Sequence, residues 1–182
     1  MKKITAVLCL CLAGLPAVAT EKMYGIAGGS FTDLEYSQQG EKGAGFTLAV
    51  GHQFHPQWYV EAGYNQLIDE TTDTGDLKGD ALYLALLGKA GNHTGELFYK
   101  LGIMNVAMQG SELPVEGNCA LGELSSDGAC AFDESGLAGV VGLGFDYHLG
   151  LRSMLRVEYN YVGGENDLQA HTVNLAIRYN FN

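Results

Sequence analysis

No stretch of this sequence reaches the roughly 18 consecutive apolar residues that a membrane-spanning helix needs, so a helical span is excluded. Proline is scarce, at 3 residues, and no Pro-rich or Ser-rich linker divides the chain, which leaves one domain. Basic side chains are also few, 10 Lys and Arg against 21 Asp and Glu, and a surface of that sign excludes nucleic acid as a partner. Of only 4 Cys, Cys9 and Cys11 fall in the apolar start of the chain, leaving Cys119 and Cys130.

That start reads as an export signal over residues 1–19: Lys2 and Lys3, an apolar run from Ile4 to Leu15, Pro16, then Ala17-Val18-Ala19 as a small-residue cleavage site. The mature domain is expected over 20–182. Losing Lys2 and Lys3 leaves 8 basic residues against 21 acidic ones, 8 − 21 = −13. In an oxidising compartment Cys119 and Cys130 are expected to form a disulfide. The ring they close has 12 residues, and constraining it is worth about 3 kcal/mol in the loop-entropy model.

What the chain has in abundance is alternation. From Val173 to Phe181, Val173, Leu175, Ile177, Tyr179 and Phe181 share one side, whereas Asn174, Ala176, Arg178 and Asn180 share the other. The first face suits hydrocarbon and the second does not, which a membrane-spanning barrel reconciles. Seven more segments follow this pattern: Lys22 to Phe31, Gly45 to Phe54, Trp58 to Asn65, Asp80 to Ala90, Glu96 to Ala107, Leu137 to His148, and one after the turn around Gly150. The expectation is an all-β, eight-stranded, antiparallel up-and-down transmembrane barrel in the outer membrane. In the first strand Tyr24 and Ile26 are assigned to lipid, with Gly25, Ala27 and Gly29 inward. In the fourth, Leu82, Leu84 and Leu86 take the lipid face over Tyr83, Ala85 and Leu87. The outward aromatics, Tyr24, Phe54, Trp58, Tyr64, Tyr147, Tyr159, Tyr161 and Tyr179, read as interfacial girdles. A soluble lipocalin-like barrel is the rival, but Gly and Ala enrichment of the polar phase suits a crowded lumen.

Connections alternate between brief (His55 to Gln57, Gly91 to Gly95, His148 to Ser153) and long, which assigns short turns to the periplasm and long loops to the exterior. The long connections and their flanks hold 16 of the 21 carboxylates, from Asp33 to Asp167.

The segments Tyr59-Val60-Glu61-Ala62-Gly63-Tyr64, Phe98-Tyr99-Lys100-Leu101-Gly102-Ile103-Met104, Leu155-Arg156-Val157-Glu158-Tyr159 and Arg178-Tyr179-Asn180-Phe181 resemble the OmpA-like family of eight-stranded outer-membrane barrels. In size the chain is similar to compact members of the OmpX, Ail and accessory colonisation factor type. The resemblance implies an interior charge network at Glu61, Lys100, Glu158 and Arg178, in which Glu61 exchanges between Arg178 and Lys100. It also implies recognition of the last strand by the barrel-assembly machinery, although Asn182 follows Phe181 where the family usually ends on an aromatic.

Charges sealed in so narrow a lumen must pair. They serve either as a static plug or, in a second reading, as the gate of a small solute channel. The acidic stretch from Asp69 to Asp76 lacks the terminal Glu of a calcium loop, so no metal site and no cofactor are expected. A lipid-modifying enzyme on this scaffold would need Ser, His and Glu together at the outer lipid face. His171-Thr172 and His93-Thr94 supply no Ser, so the chain is not expected to be an enzyme. The expected partners are outer-membrane lipid and lipopolysaccharide, with a host-surface ligand at the loops. The function expected is adhesion, colonisation or envelope maintenance.

Overall fold

A strand in hydrocarbon finds no water for its N–H and C=O groups, so alternating segments can cross only as a closed ring. The computed structural model describes residues 22–36, 39–72, 75–112, 123–124, 130–164 and 168–181. Within them lie β1 (Met23–Tyr36), β2 (Gln39–His55), β3 (Trp58–Thr72), β4 (Gly75–Gly91), β5 (Gly95–Glu112), β6 (Glu123–Leu124), β7 (Cys130–His148), β8 (Ser153–Gly164) and β9 (Gln169–Asn180). Eight of them pair antiparallel with their neighbours, and the β1–β9 and β5–β7 ladders close the barrel. The two-residue β6 extends the sheet along the outer end of β7, past the last β7–β8 pair. The expected leader, Cys119 and hence its bond to Cys130, and Asn182 lie outside the described residues.

Seven barrel strands face as the alternation indicates. Leu82, Leu84 and Leu86 are 63%, 52% and 42% exposed on the outer surface, while Tyr83, Ala85 and Leu87 are buried. In β1 the phase is the reverse of the expectation: Tyr24 and Ile26 are buried in the lumen, and Gly25, Ala27 and Gly29 lie on the outer side. Tyr24 therefore leaves the girdle. The physical reason is that Tyr24 shares its side with Ser30 and Thr32, which are also buried, and a phenol with a partner for its hydroxyl is well placed inside.

The strands run from 12 to 19 residues, longer than the 9 to 11 or so that a tilted crossing needs. Toward the outer ends of five strands the outward residue changes from Phe31, Leu82, Ile103, Leu137 and Val173 to Asp33, Asp80, Asn105, Ser135 and His171. Hydrocarbon ends there, and the strands continue into water. Above that level β2–β3 pairing has stopped at Thr47↔Asn65 and β7–β8 pairing at Ala138↔Gly164. The wall divides into two leaves, β3–β4–β5–β7 and β2–β1–β9.

Between the leaves the inward phase turns apolar, with Leu34, Leu67, Ile68, Val106, Met108, Val162 and Leu168 all buried. A register shift in β3 between Gln66 and Ile68 places the adjacent Leu67 and Ile68 both inside. Gly79 gives them space, since a Cβ there would stand 2.9 Å from Met108 Sδ and 3.2 Å from Ile68 Cγ2. Burial of each large side chain contributes roughly 1.5–3 kcal/mol, so this cap is built like the core of a water-soluble sheet sandwich.

Candidate functional site

Below the apolar cap the lumen holds charge. Parity puts Glu61 inside with Tyr59 and Asn65, and Glu61 is fully buried. Gly51 and Gly63 open the space beside it: a Cβ at Gly51 would come 2.1 Å from the Tyr24 ring, and one at Gly63 would come 2.6 Å from the Tyr83 ring. Both phenols donate to Glu61, Tyr24 to Oε2 and Tyr83 to Oε1, each at 2.9 Å. Lys100 Nζ reaches Glu61 Oε1 at 2.7 Å and Glu158 Oε1 at 2.6 Å.

A second cluster is centred on Asp146. Arg156 donates from Nε at 2.6 Å and from Nη2 at 2.8 Å, Lys89 at 2.8 Å and Arg178 Nη1 at 2.7 Å. Arg178 Nη1 also reaches Glu96 Oε2 at 2.8 Å. The bridge between the clusters is Arg156, whose Nη1 donates to Glu61 Oε2 at 2.9 Å. Four carboxylates (Glu61, Glu96, Asp146, Glu158) thus meet four cations (Lys89, Lys100, Arg156, Arg178), which offsets the desolvation each would otherwise suffer. Aromatic faces complete the lining: Arg178 lies 4.1 Å from the Tyr24 centroid, Arg156 4.3 Å from Phe98 and Lys89 4.6 Å from Tyr59.

The structure brings Glu61, Lys100 and Glu158 together and holds Arg178 apart from them. The guanidinium on Glu61 belongs to Arg156, and Arg178 serves Asp146 and Glu96. An exchange of Glu61 between Arg178 and Lys100 would first have to displace Arg156. Lys89, Glu96, Asp146 and Arg156, with the two phenols, are further members of the network that the family resemblance does not indicate. Parity was the available signal, because Asp146 and Arg156 share the inward phase with Gly144 and Glu158, and Lys89 shares it with Leu87.

At the short-turn end a cavity of about 460 Å³ opens beneath this network, lined by Tyr59, Lys89, Asn92, His93, Glu96 and His148 among others. Among the described residues no group of three or more His, Cys, Asp or Glu is placed to hold a metal ion. On the outer surface, at the level where hydrocarbon ends, Tyr159 Oη and His171 Nδ1 share a 2.6 Å hydrogen bond, and Tyr161 packs 5.2 Å from the same imidazole. Tyr159, Tyr161 and His171 thus form an aromatic rim where headgroups meet acyl chains.

Solved structures with this architecture include Ail, the attachment invasion locus protein of Yersinia pestis, in complex with the heparin analogue sucrose octasulfate. Its TM-score is 0.60 at 17% identity, covering 87% of this chain and 98% of that one. Neisserial surface protein A matches with a TM-score of 0.64 at 14% identity, covering 88% and 98%. The N-terminal β-barrel domain of Pseudomonas aeruginosa OprF matches with a TM-score of 0.52 at 9% identity, covering 87% and 98%. At these identities the likeness is one of fold. No curated protein matches the sequence. The model of the outer membrane protein beta-barrel domain matches residues 5–181, nearly the whole chain, which therefore belongs to that family of eight-stranded outer-membrane barrels.

Proposed function

We propose that this barrel is a surface-presentation protein: the neutral luminal network makes the cylinder rigid, and the two leaves carry acidic loops outward for adhesion or colonisation. The observation that carries this reading is the continuation of the strands beyond the apolar belt, capped by an apolar core. That construction spends ordered residues on a platform in water, where loops rather than a pore meet the environment.

The solute-channel reading finds less support. Eight strands leave an interior just wide enough for side chains, and here its outermost layer is filled by Leu34, Leu67, Ile68, Val106, Met108, Val162 and Leu168. Ions crossing that apolar layer would lose hydration with little polar in return.

Charge also narrows the class of external ligand. Ail is solved with a polyanion, but the outer end here is strongly acidic, and like charges would repel such a molecule. A basic or neutral host-surface ligand suits these loops. Attachment of cells bearing the intact protein is expected to exceed that of cells bearing a variant with residues 113–129 replaced by a short Gly-Ser turn. Added heparin should leave that attachment unchanged. Equal attachment by the two strains would remove the adhesin reading.

A further inference from the structure

The cavity of about 460 Å³ at the short-turn end has a lining of mixed character. Pro56 and the Tyr59 ring supply apolar surface, whereas Lys89, Asn92, Glu96 and His148 supply polar groups. Its volume falls within the roughly 300–1,000 Å³ of small-molecule sites. Short turns lie on the periplasmic side in outer-membrane barrels, so the cavity opens to the periplasm.

Two side chains of that lining hold unused hydrogen-bonding capacity. Asn92 Oδ1 accepts from Thr94 N at 2.9 Å and from Gly95 N at 3.3 Å, which fixes the amide and leaves its two N–H donors as the end available to a ligand. His148 N donates to Thr94 O at 3.1 Å, holding the end of β7 against the same turn. The Nδ1 of that imidazole is buried and, among the described residues, has no hydrogen-bond partner. A buried polar atom in this state is destabilising until something meets it.

The charge behind these groups is positive. Three cations, Lys89, Arg178 and Arg156, surround the two carboxylates Asp146 and Glu96, with two nitrogens of Arg156 committed to Asp146. Deeper in the lumen the balance reverses, since Lys100 alone stands between Glu61 and Glu158. The network is neutral as a whole but polarised, its positive end toward the periplasm. Glu96 is the carboxylate on the cavity wall, and Arg178 Nη1 at 2.8 Å and Lys89 Nζ at 3.5 Å offset its charge. Lys22 and Arg152 add to the field from the same end, where their carbonyls accept from Gln53 N and Asn180 N. Both are exposed, and among the described residues neither has an ion-pair partner. Glu21 lies outside the described residues.

We propose that this cavity is a binding site for a small organic carboxylate, of the size of an amino acid or the end of a short peptide. Its carboxylate accepts from Asn92 Nδ2 and from the His148 ring with the proton on Nδ1, and its apolar body lies against Tyr59 and Pro56. A bare inorganic anion would leave that apolar surface uncovered. A cation would meet donors and a carboxylate already paired. The brief turns of this end form a recess, not the broad face of roughly 800 Å² that a folded partner covers.

Titration of the folded, isotope-labelled barrel in detergent micelles with N-acetyl-glycyl-alanine, followed by amide NMR, tests the assignment. Saturable shifts should appear at Asn92, His93, Gly95 and His148, with a dissociation constant of about 1 mM, the range open to so small a ligand. The same dipeptide with its carboxylate converted to an amide should leave these signals in place, and inorganic phosphate should move them far less. Asn92→Asp keeps the oxygen that caps the turn but puts a carboxylate oxygen where the donors were, and should weaken binding about tenfold or more. His148→Phe keeps the ring and removes Nδ1, and should weaken it by a similar factor. A compact band on unboiled gels certifies each variant as folded. Absence of saturable shifts at these four positions, equal shifts from the amide, phosphate binding as tight as the dipeptide, or wild-type affinity in both variants would each overturn the site.

Discussion

Arg156 and Asp146 meet side by side in the lumen, Nε to Oδ1 at 2.6 Å and Nη2 to Oδ2 at 2.8 Å, while the remaining nitrogen of the same guanidinium crosses to Glu61. One planar fork thus ties two carboxylates from strands on different sides of the barrel, a geometry that a lysine ammonium cannot reproduce. Arg156→Met should lower unfolding free energy in lipid vesicles by about 3–5 kcal/mol, because the carboxylates lose a buried counter-charge. Arg156→Lys should recover only part of that loss. A denaturant midpoint unchanged in the Met variant would show that the remaining cations suffice.

Tyr24 and Tyr83 approach Glu61 from β1 and β4 with equal 2.9 Å hydrogen bonds. Bonds to a charged acceptor are worth about 1.5–3 kcal/mol each. Tyr24→Phe and Tyr83→Phe should therefore each destabilise by that amount. Since they share one acceptor, the double variant should depart from additivity, which a double-mutant cycle of unfolding free energies reads directly.

At the outer rim the same chemistry is worth little. Lys42 Nζ lies 2.8 Å from Asp33 Oδ2, yet the two side chains are 64% and 48% exposed. The hydrogen bond to Asp33, and then its charge, raises the lysine pKa above its usual value. A cation whose pKa is raised on folding contributes below its unfolded pKa, near 10.4, and the contribution fades as pH climbs through the folded value. Solvent screens such a pair, so Lys42→Gln should leave the unfolding midpoint at pH 7 and physiological salt unmoved. A clear drop would mean that the rim is drier than its exposure implies.

Oxygen accessibility of spin labels checks the β1 phase. Labels at Ala27 and Leu175 should relax strongly with oxygen dissolved in hydrocarbon, and a label at Ile26 should be shielded. The reverse order at positions 26 and 27 would restore Tyr24 to the lipid face.

The barrel was legible because hydrocarbon enforces a two-residue period, and seven strands obey it with large apolar side chains outward. In β1 the bulkier phase is the inner one, so size misleads. Ser30 and Thr32, two and three alternations beyond Ile26 on the same side, carry the right answer. Parity likewise says that Glu61, Lys100, Glu158 and Arg178 point inward, but not which of them meet. The partners lie as far apart in sequence as Glu61 and Arg156, and their pairing follows from strand stagger around the barrel, which no local pattern encodes. The strand extensions resemble loop in the sequence because polar outward residues there no longer mark lipid, although Leu67, Val106 and Met108 keep the inward phase.

Those three inward residues, with Leu34, lead to the last expectation. If the apolar cap seals the lumen, the charge network beneath it is irrelevant to conduction, and both wild type and Glu61→Ala should give no sustained current in planar bilayers. Loosening the network exposes charge to the periplasmic vestibule alone. A near-isosteric polar replacement of the cap, Leu34→Asn with Val106→Thr and Met108→Gln, keeps the volume but lets water wet the constriction. Discrete current steps should then appear, provided that unboiled gels show a folded band. Steps already present in Glu61→Ala but absent from the wild type would assign the barrier to the ion pairs and return the channel reading to first place.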